Sequence, residues 1–165
     1  MSSRPAALWK SMPLDKRTSA ALAFWNDEDS PDIEMQHVEA MATLARRLNF
    51  RAKSIQTMAA DRLAKHLAQM SDVSEAIASR ALIAYHFSDQ RPIMAAFLDA
   101  LGIAHENGLI KEEEVPKPDK AKVEAAVTAV KASHDAGDVD LYLRTLAALD
   151  PDTWAVLDDI VAPIR

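Results

Sequence analysis

The sequence predicts an all-α fold, an irregular multi-helix bundle or orthogonal array of about eight helices, and three observations carry that expectation. Alanine and leucine, which favour helix at interior positions, number 31 and 16 in 165 residues. Only 3 glycines and 8 prolines interrupt the chain. Apolar residues recur at spacings of three and four along most of its length, and strand-like alternation is absent over any useful stretch.

The elements follow in order. After Pro13, a stripe of Leu14, Thr18, Ala21, Leu22 and Trp25 predicts a helix from Leu14 to Asp27. Ser30-Pro31 reads as the next start, with a serine cap and proline in the first helical position, followed by Asp32 and Glu34 at the positive end of the dipole. The expected buried face of this second helix is Ile33, Val38, Met41, Ala42, Leu44, Ala45 and Leu48, and Asn49 suits a left-handed terminating residue. Ile55, Met58, Ala59, Leu63, Leu67 and Met70 mark a third segment, read as a long helix or a short one followed by a longer one. Asp72-Val-Ser-Glu75 resembles a capping box opening a fourth helix through Ile77, Ala81, Ala84 and Phe87. A fifth carries Ile93, Met94, Phe97, Leu98 and Leu101. Gly102, Gly108 and Gly137 all follow helical patterns and are read as C-terminal stops.

The stretch 111–119 is charged, twice broken by proline and aperiodic, and it reads as a linker between a body at 1–110 and a helical segment at 120–165. Three helices are expected beyond it, with Asp138 and Asp150 as N-caps. Such a short tail is marginal alone, so it is expected to pack on the body or on a partner. No internal repeat of fixed period is found.

Composition removes many function classes. With 3 glycines there is no Gly-rich phosphate cradle, and with no cysteine there is no disulfide, thiolate metal site or thiol nucleophile. The motifs G-x-S-x-G and H-E-x-x-H are absent. No apolar run reaches membrane-spanning length, and the N-terminus lacks the apolar stretch of a signal peptide, so a cytoplasmic protein without a membrane partner is expected. No cofactor is indicated. Asp27-Glu-Asp29 and Asp138-Val-Asp140 alternate oxygens as calcium loops do. They lack the bend glycine and the distal glutamate, so capping is the simpler account.

Histidines are the remaining catalytic candidates. His37 falls on the apolar side of its helix, His86 stands between Tyr85 and Phe87 at a helix end, and His105 adjoins Glu106 on what reads as a short turn of helix. Among the methionines, Met35, Met41, Met58, Met70 and Met94 fall mostly on apolar stripes and are expected in the core. Trp9 precedes the first expected helix and must fold back or stay exposed.

Charge supplies the one regional signal. The chain carries net charge −6, yet residues 46–66 hold Arg46, Arg47, Arg51, Lys53, Arg62 and Lys65 against Asp61 alone. Arg46 and Arg47 suit a last helical turn, whereas Arg51 and Lys53 near a helix start oppose its dipole, a conflict that a bound anion would remove. The competing account is a solvated basic face paired with the acidic C-terminal third. Three readings of function remain open at this level. The first is a non-enzymatic helical interaction module, self-associating or binding another protein. The second is anion or nucleic-acid binding through the six basic residues. The third is a small enzyme using His86 or His105 beside a carboxylate.

Overall fold

The computed structural model describes residues 3–164. It bears out the all-α expectation, with ten α-helices, one short 3-10 helix and a single two-stranded hairpin among the described residues. No helix among them is long and apolar enough to cross a membrane. The chain forms two compact units, Trp9–Tyr85, and Met1–Leu8 together with His86–Arg165. The division falls inside a helix between Tyr85 and His86, and the 111–119 stretch lies within the second unit.

The Trp9–Tyr85 unit takes the end of α1 (Pro5–Ser11), then α2 (Leu14–Asn26), α3 (Ile33–Leu48), α4 (Ala52–Gln56), α5 (Ala60–Gln69) and most of α6 (Glu75–Asp89). Its centre is the pairing of α2 with α5. The buried residues of α2 are Ala20, Ala21, Phe24 and Trp25, and those of α5 are Leu63, Ala64, Leu67 and Ala68. Alanines on both helices allow close approach, and the aromatic pair fills the space beyond them. Leu14 and Leu22, expected inside, are exposed. The face α2 turns inward is therefore set by its small residues and aromatics, not by its leucines. Trp9 folds back completely, and its indole Nε1–H donates to the Met70 carbonyl at 2.8 Å.

Several starts shift against expectation. The second expected helix begins at Ile33, because Asp27 Oδ1 accepts from the Asp29 and Ser30 amides and holds 27–30 in a turn. Asp32 then bridges to the helix in the left-handed region at φ 59°. Burial raises the Asp27 pKa, but the hydrogen bonds from Ser30 and Asp29 and the charge of Arg80 outweigh it and leave the carboxyl below its ordinary value. At α6 the cap is Ser74, whose Oγ accepts from the Ile77 amide at 3.2 Å, rather than Asp72. The segment after Phe50 resolves into a short α4 and a longer α5.

The other unit contains α7 (Arg91–Leu101), the hairpin β1 (His105–Glu106) and β2 (Leu109–Ile110), α8 (Lys120–Ser133), α9 (Ala136–Leu149), α10 (Pro151–Trp154) and a 3-10 helix at Ala155–Asp159. One core joins them: Ile93, Met94, Phe97 and Leu98 of α7, Val123, Val127 and Val130 of α8, Tyr142 and Leu143 of α9, with Trp154 and Leu157. The i, i+3, i+4 spacing of the α7 and α8 sets, and of Val139, Tyr142 and Leu143 on α9, presents one apolar face per helix to that core. Ser3 and Ile164 exchange hydrogen bonds within this unit.

Glycine placement departs from the sequence reading at two of three positions. Gly102 ends α7 at φ 71°, as expected. Gly108 instead forms the hairpin turn with Asn107, at φ 93° and 49°, between the paired residues Glu106 and Leu109. Both positive angles fit a type I′ turn, for which Asn-Gly is the preferred pair. Gly137 lies in the first turn of α9, whose cap is Asp135 Oδ2, accepting from the Asp138 amide at 3.0 Å, and not Asp138. Asp150 caps α10 as expected, accepting from the Thr153 amide, with Pro151 in the first position.

Candidate binding surface on the Trp9–Tyr85 unit

The basic junction is built where α3 stops. Asn49 takes φ 54°, and the Phe50 amide reaches back to the Ala45 carbonyl at 3.0 Å, the six-to-one hydrogen bond of a Schellman ending. This ending sends Phe50 out of the helix toward α5, where its ring meets His66 edge-on with centroids 6.4 Å apart. Phe50 nevertheless stays 43% exposed. Arg51 follows at the residue before α4, which Ile55 anchors in the core. On α5, Leu63, Ala64, Leu67 and Ala68 face inward, so Arg62 and Lys65 are left on the outer side, one turn before His66 and next to it.

All six sequence-predicted residues are exposed: Arg46 and Arg47 in the last turn of α3, Arg51 and Lys53 around α4, Arg62 and Lys65 on α5. The Phe50–His66 contact brings the chain around Arg51 to the part of α5 that carries Arg62 and Lys65. None of the six lies within ion-pair distance of a carboxylate among the described residues, unlike Lys10 with Asp72 or Lys131 with Asp140. Within the Trp9–Tyr85 unit these six cations face solvent. The dipole conflict also loses its force, because α4 has five residues and a correspondingly small dipole.

Sequence reasoning missed two features here. Phe50 stands outside the apolar stripe that marks the third segment, and its place follows from the left-handed Asn49 that ends α3. The outer face of α3 was also misassigned. Its buried residues are Ile33, Ala40 and Leu44, with His37, Met41 and Leu48 half-buried beside them. Val38 and Ala42 fall outside that arc and are exposed, as is Met35. The apolar arc that the sequence pattern predicts for this helix is wider than the fold covers.

The three candidate histidines are held structurally. His37 Nε2–H donates to the Phe24 carbonyl at 2.7 Å, and its ring packs against Phe24 and Trp25. His86 is 3% exposed, and burial pushes its pKa down to about 3. His105 joins Asp99 through Nε2 at 2.6 Å and accepts the Gly108 amide on Nδ1, so both ring nitrogens are committed to holding the hairpin. Arg91 clamps the same turn, donating to the Asn107 carbonyl while lying over the Phe87 ring. An imidazole sealed in a core, and another with both nitrogens engaged, offer little to general acid–base chemistry. No group of three or more His, Asp or Glu among the described residues is arranged to hold a metal ion.

Comparison with known proteins adds no assignment: the chain matches no protein-family model, no curated protein and no solved structure.

Proposed function

We propose that the protein is a non-enzymatic helical interaction module that associates with a second copy of itself through the outer face of α3. The observation that carries this reading is the line Met35, Val38, Glu39, Ala42 and Arg46, all exposed on one side of a 16-residue helix. Met35 is 72% and Val38 66% exposed. Single exposed apolar side chains are ordinary, but two within one turn, continued by a small residue, form a strip against which another helix packs.

Its charges make the strip self-complementary. When two copies of α3 run antiparallel with Ala42 beside the two-fold axis, Glu39 of each stands opposite Arg46 of the other. An isologous pair of this kind needs one patch only, used twice, and the opposed helix dipoles favour it. A contact along a helix about 24 Å long is small for a protein interface, so the association is expected to be weak, on the order of micromolar or weaker. We place this activity in the cytoplasm, where a chain without cysteine folds with no need of disulfides.

Sedimentation equilibrium across a concentration series tests the reading. A monomer–dimer equilibrium is expected, weakened by Met35→Ser with Val38→Ser. Glu39→Arg or Arg46→Glu alone should weaken it, and the two together should restore it. A monomer at all concentrations up to millimolar, or a dimer indifferent to these substitutions, overturns it.

A further inference from the structure

Beyond self-association, we infer that the junction around Phe50 is a binding site for single-stranded nucleic acid, with phosphates held by Arg51, Lys53, Arg62 and Lys65 and a base stacked on the Phe50 ring.

The electrostatics are local. The unit Trp9–Tyr85 holds ten basic and ten acidic side chains and is formally neutral, so the whole net charge of −6 resides in the other unit. Within the neutral unit the acids are concentrated at 15 and 27–39 and at 72–75, leaving only Asp61 among the six cations of the junction. Four of those cations flank the Phe50–His66 contact: Arg51 follows Phe50 directly, Lys53 is three residues on, and Arg62 and Lys65 stand beside His66 on α5. All four are exposed and free of ion pairs among the described residues, so a ligand phosphate displaces only water and counterions.

The aromatic ring decides the class of polyanion. An acidic protein segment would satisfy the cations and leave Phe50 unused. A duplex would offer phosphates but keep its bases paired and stacked, and Phe50 sits in a helix-terminating turn that cannot enter a groove as a helix or ribbon does. An unpaired base presents a π face, and an exposed aromatic beside basic side chains is the arrangement by which single strands are held without strong sequence preference. Arg46 and Arg47, in the last turn of α3, extend the basic surface to one side.

The test uses the full-length protein and fluorescein-labelled dT20, read by anisotropy, with a 20-base-pair duplex and heparin in parallel. Four phosphate contacts imply a salt slope near −2.8 on a log–log plot for a single strand, roughly a fiftyfold loss of affinity between 50 and 200 mM salt. Arg51→Glu with Lys53→Glu should abolish binding. Phe50→Ala should weaken dT20 binding by roughly tenfold or more without changing the slope, and should leave heparin unaffected. Phe50→Trp should retain affinity, and quenching of its fluorescence by dT20 places the base, since Trp9, Trp25 and Trp154 are buried. Thermal unfolding of each variant separates loss of the site from loss of the fold. Absence of salt-sensitive dT20 binding overturns the inference. So does equal affinity for heparin, duplex and dT20 with no effect of Phe50→Ala, because that pattern reports a polyanion surface without stacking. The pair Met35→Ser and Val38→Ser changes none of Phe50, Arg51, Lys53, Arg62 and Lys65, so dT20 binding measured on that variant reads this site apart from self-association.

Discussion

His86 and Thr145, 59 residues apart in the chain, are joined inside the core by a 3.1 Å hydrogen bond that fixes the imidazole tautomer. Thr145 gives its hydroxyl hydrogen to the Leu141 carbonyl at 2.7 Å, so its oxygen accepts from His86, and the proton must sit on Nε2. The ring also packs edge-on against Tyr142, with centroids 5.5 Å apart. His86 is thereby stitched to the middle of α9 within one compact unit.

This buried imidazole predicts acid sensitivity. Its folded pKa, about 3, lies below the unfolded value of 6.5, so the unfolded chain binds the proton first. The stability it contributes is complete above pH 6.5 and is lost as pH falls toward 3, at about 1.4 kcal/mol per unit. Between pH 7 and 5 the loss is expected to be roughly 2 kcal/mol by urea unfolding. His86→Phe should remove this part of the slope, even if it lowers stability at pH 7. An unchanged slope in the variant assigns the acid sensitivity elsewhere.

Trp9 predicts how the N-terminal helix is fastened. Its ring is fully buried and its N–H satisfies the Met70 carbonyl, so two costs can be separated. Trp9→Phe keeps most of the apolar burial and loses the hydrogen bond, for an expected cost of about 1–2 kcal/mol. Trp9→Ala should cost about 3–5 kcal/mol. Chemical denaturation distinguishes these, and equal costs for both would mean that the hydrogen bond dominates.

The cap of α9 gives a third expectation. Asp135 accepts from the Asp138 amide, and Gly137 lies so near that a Cβ there would come within 3.1 Å of Asp135 Oδ2. Asp135→Ala should cost about 1 kcal/mol through the lost cap. Asp138→Ala, the cap expected from sequence, should cost less. Thermal shifts of the two variants rank them directly.

These elements show what the sequence could and could not convey. Helix existence was legible because composition and the three-and-four spacing are local properties, which is why α2, α7, α8 and α9 lie close to where the pattern puts them. Which face of a helix is covered was less legible. On α2 the alanines turn inward and Leu14 and Leu22 outward, and on α3 Val38 and Met35 face solvent, because the width of the buried arc depends on how many neighbours a helix has. Caps moved by two or three residues at Ser74 and Asp135, since any nearby Ser or Asp can serve and packing chooses among them. At the basic junction, the six charged residues were readable as a cluster in the chain. That Phe50 stands among them, exposed and against His66, depends on the turn at Asn49 and on the path of α5, which no local pattern specifies.

The Asn107-Gly108 turn, read from sequence as a helix stop, provides the sharpest contrast between two glycines. Both Gly102 and Gly108 have positive φ, so alanine is strained at either. At Gly102 an added Cβ would meet nothing within 4 Å, and the cost is only that of the backbone, about 1 kcal/mol. At Gly108 it would stand 2.9 Å from Met94 Cβ and 3.3 Å from its Cε. Met94 is buried in the core, and the Cβ of a helical residue cannot swing aside as a flexible side-chain end can. The hairpin would have to lift, loosening the Gly108 amide from His105 and the Asn107 carbonyl from Arg91. Gly108→Ala is therefore expected to cost about 2–4 kcal/mol, well beyond Gly102→Ala, as overpacking adds to backbone strain. Paired thermal unfolding of the two variants checks this, and equal costs would show that the hairpin yields without disturbing α7.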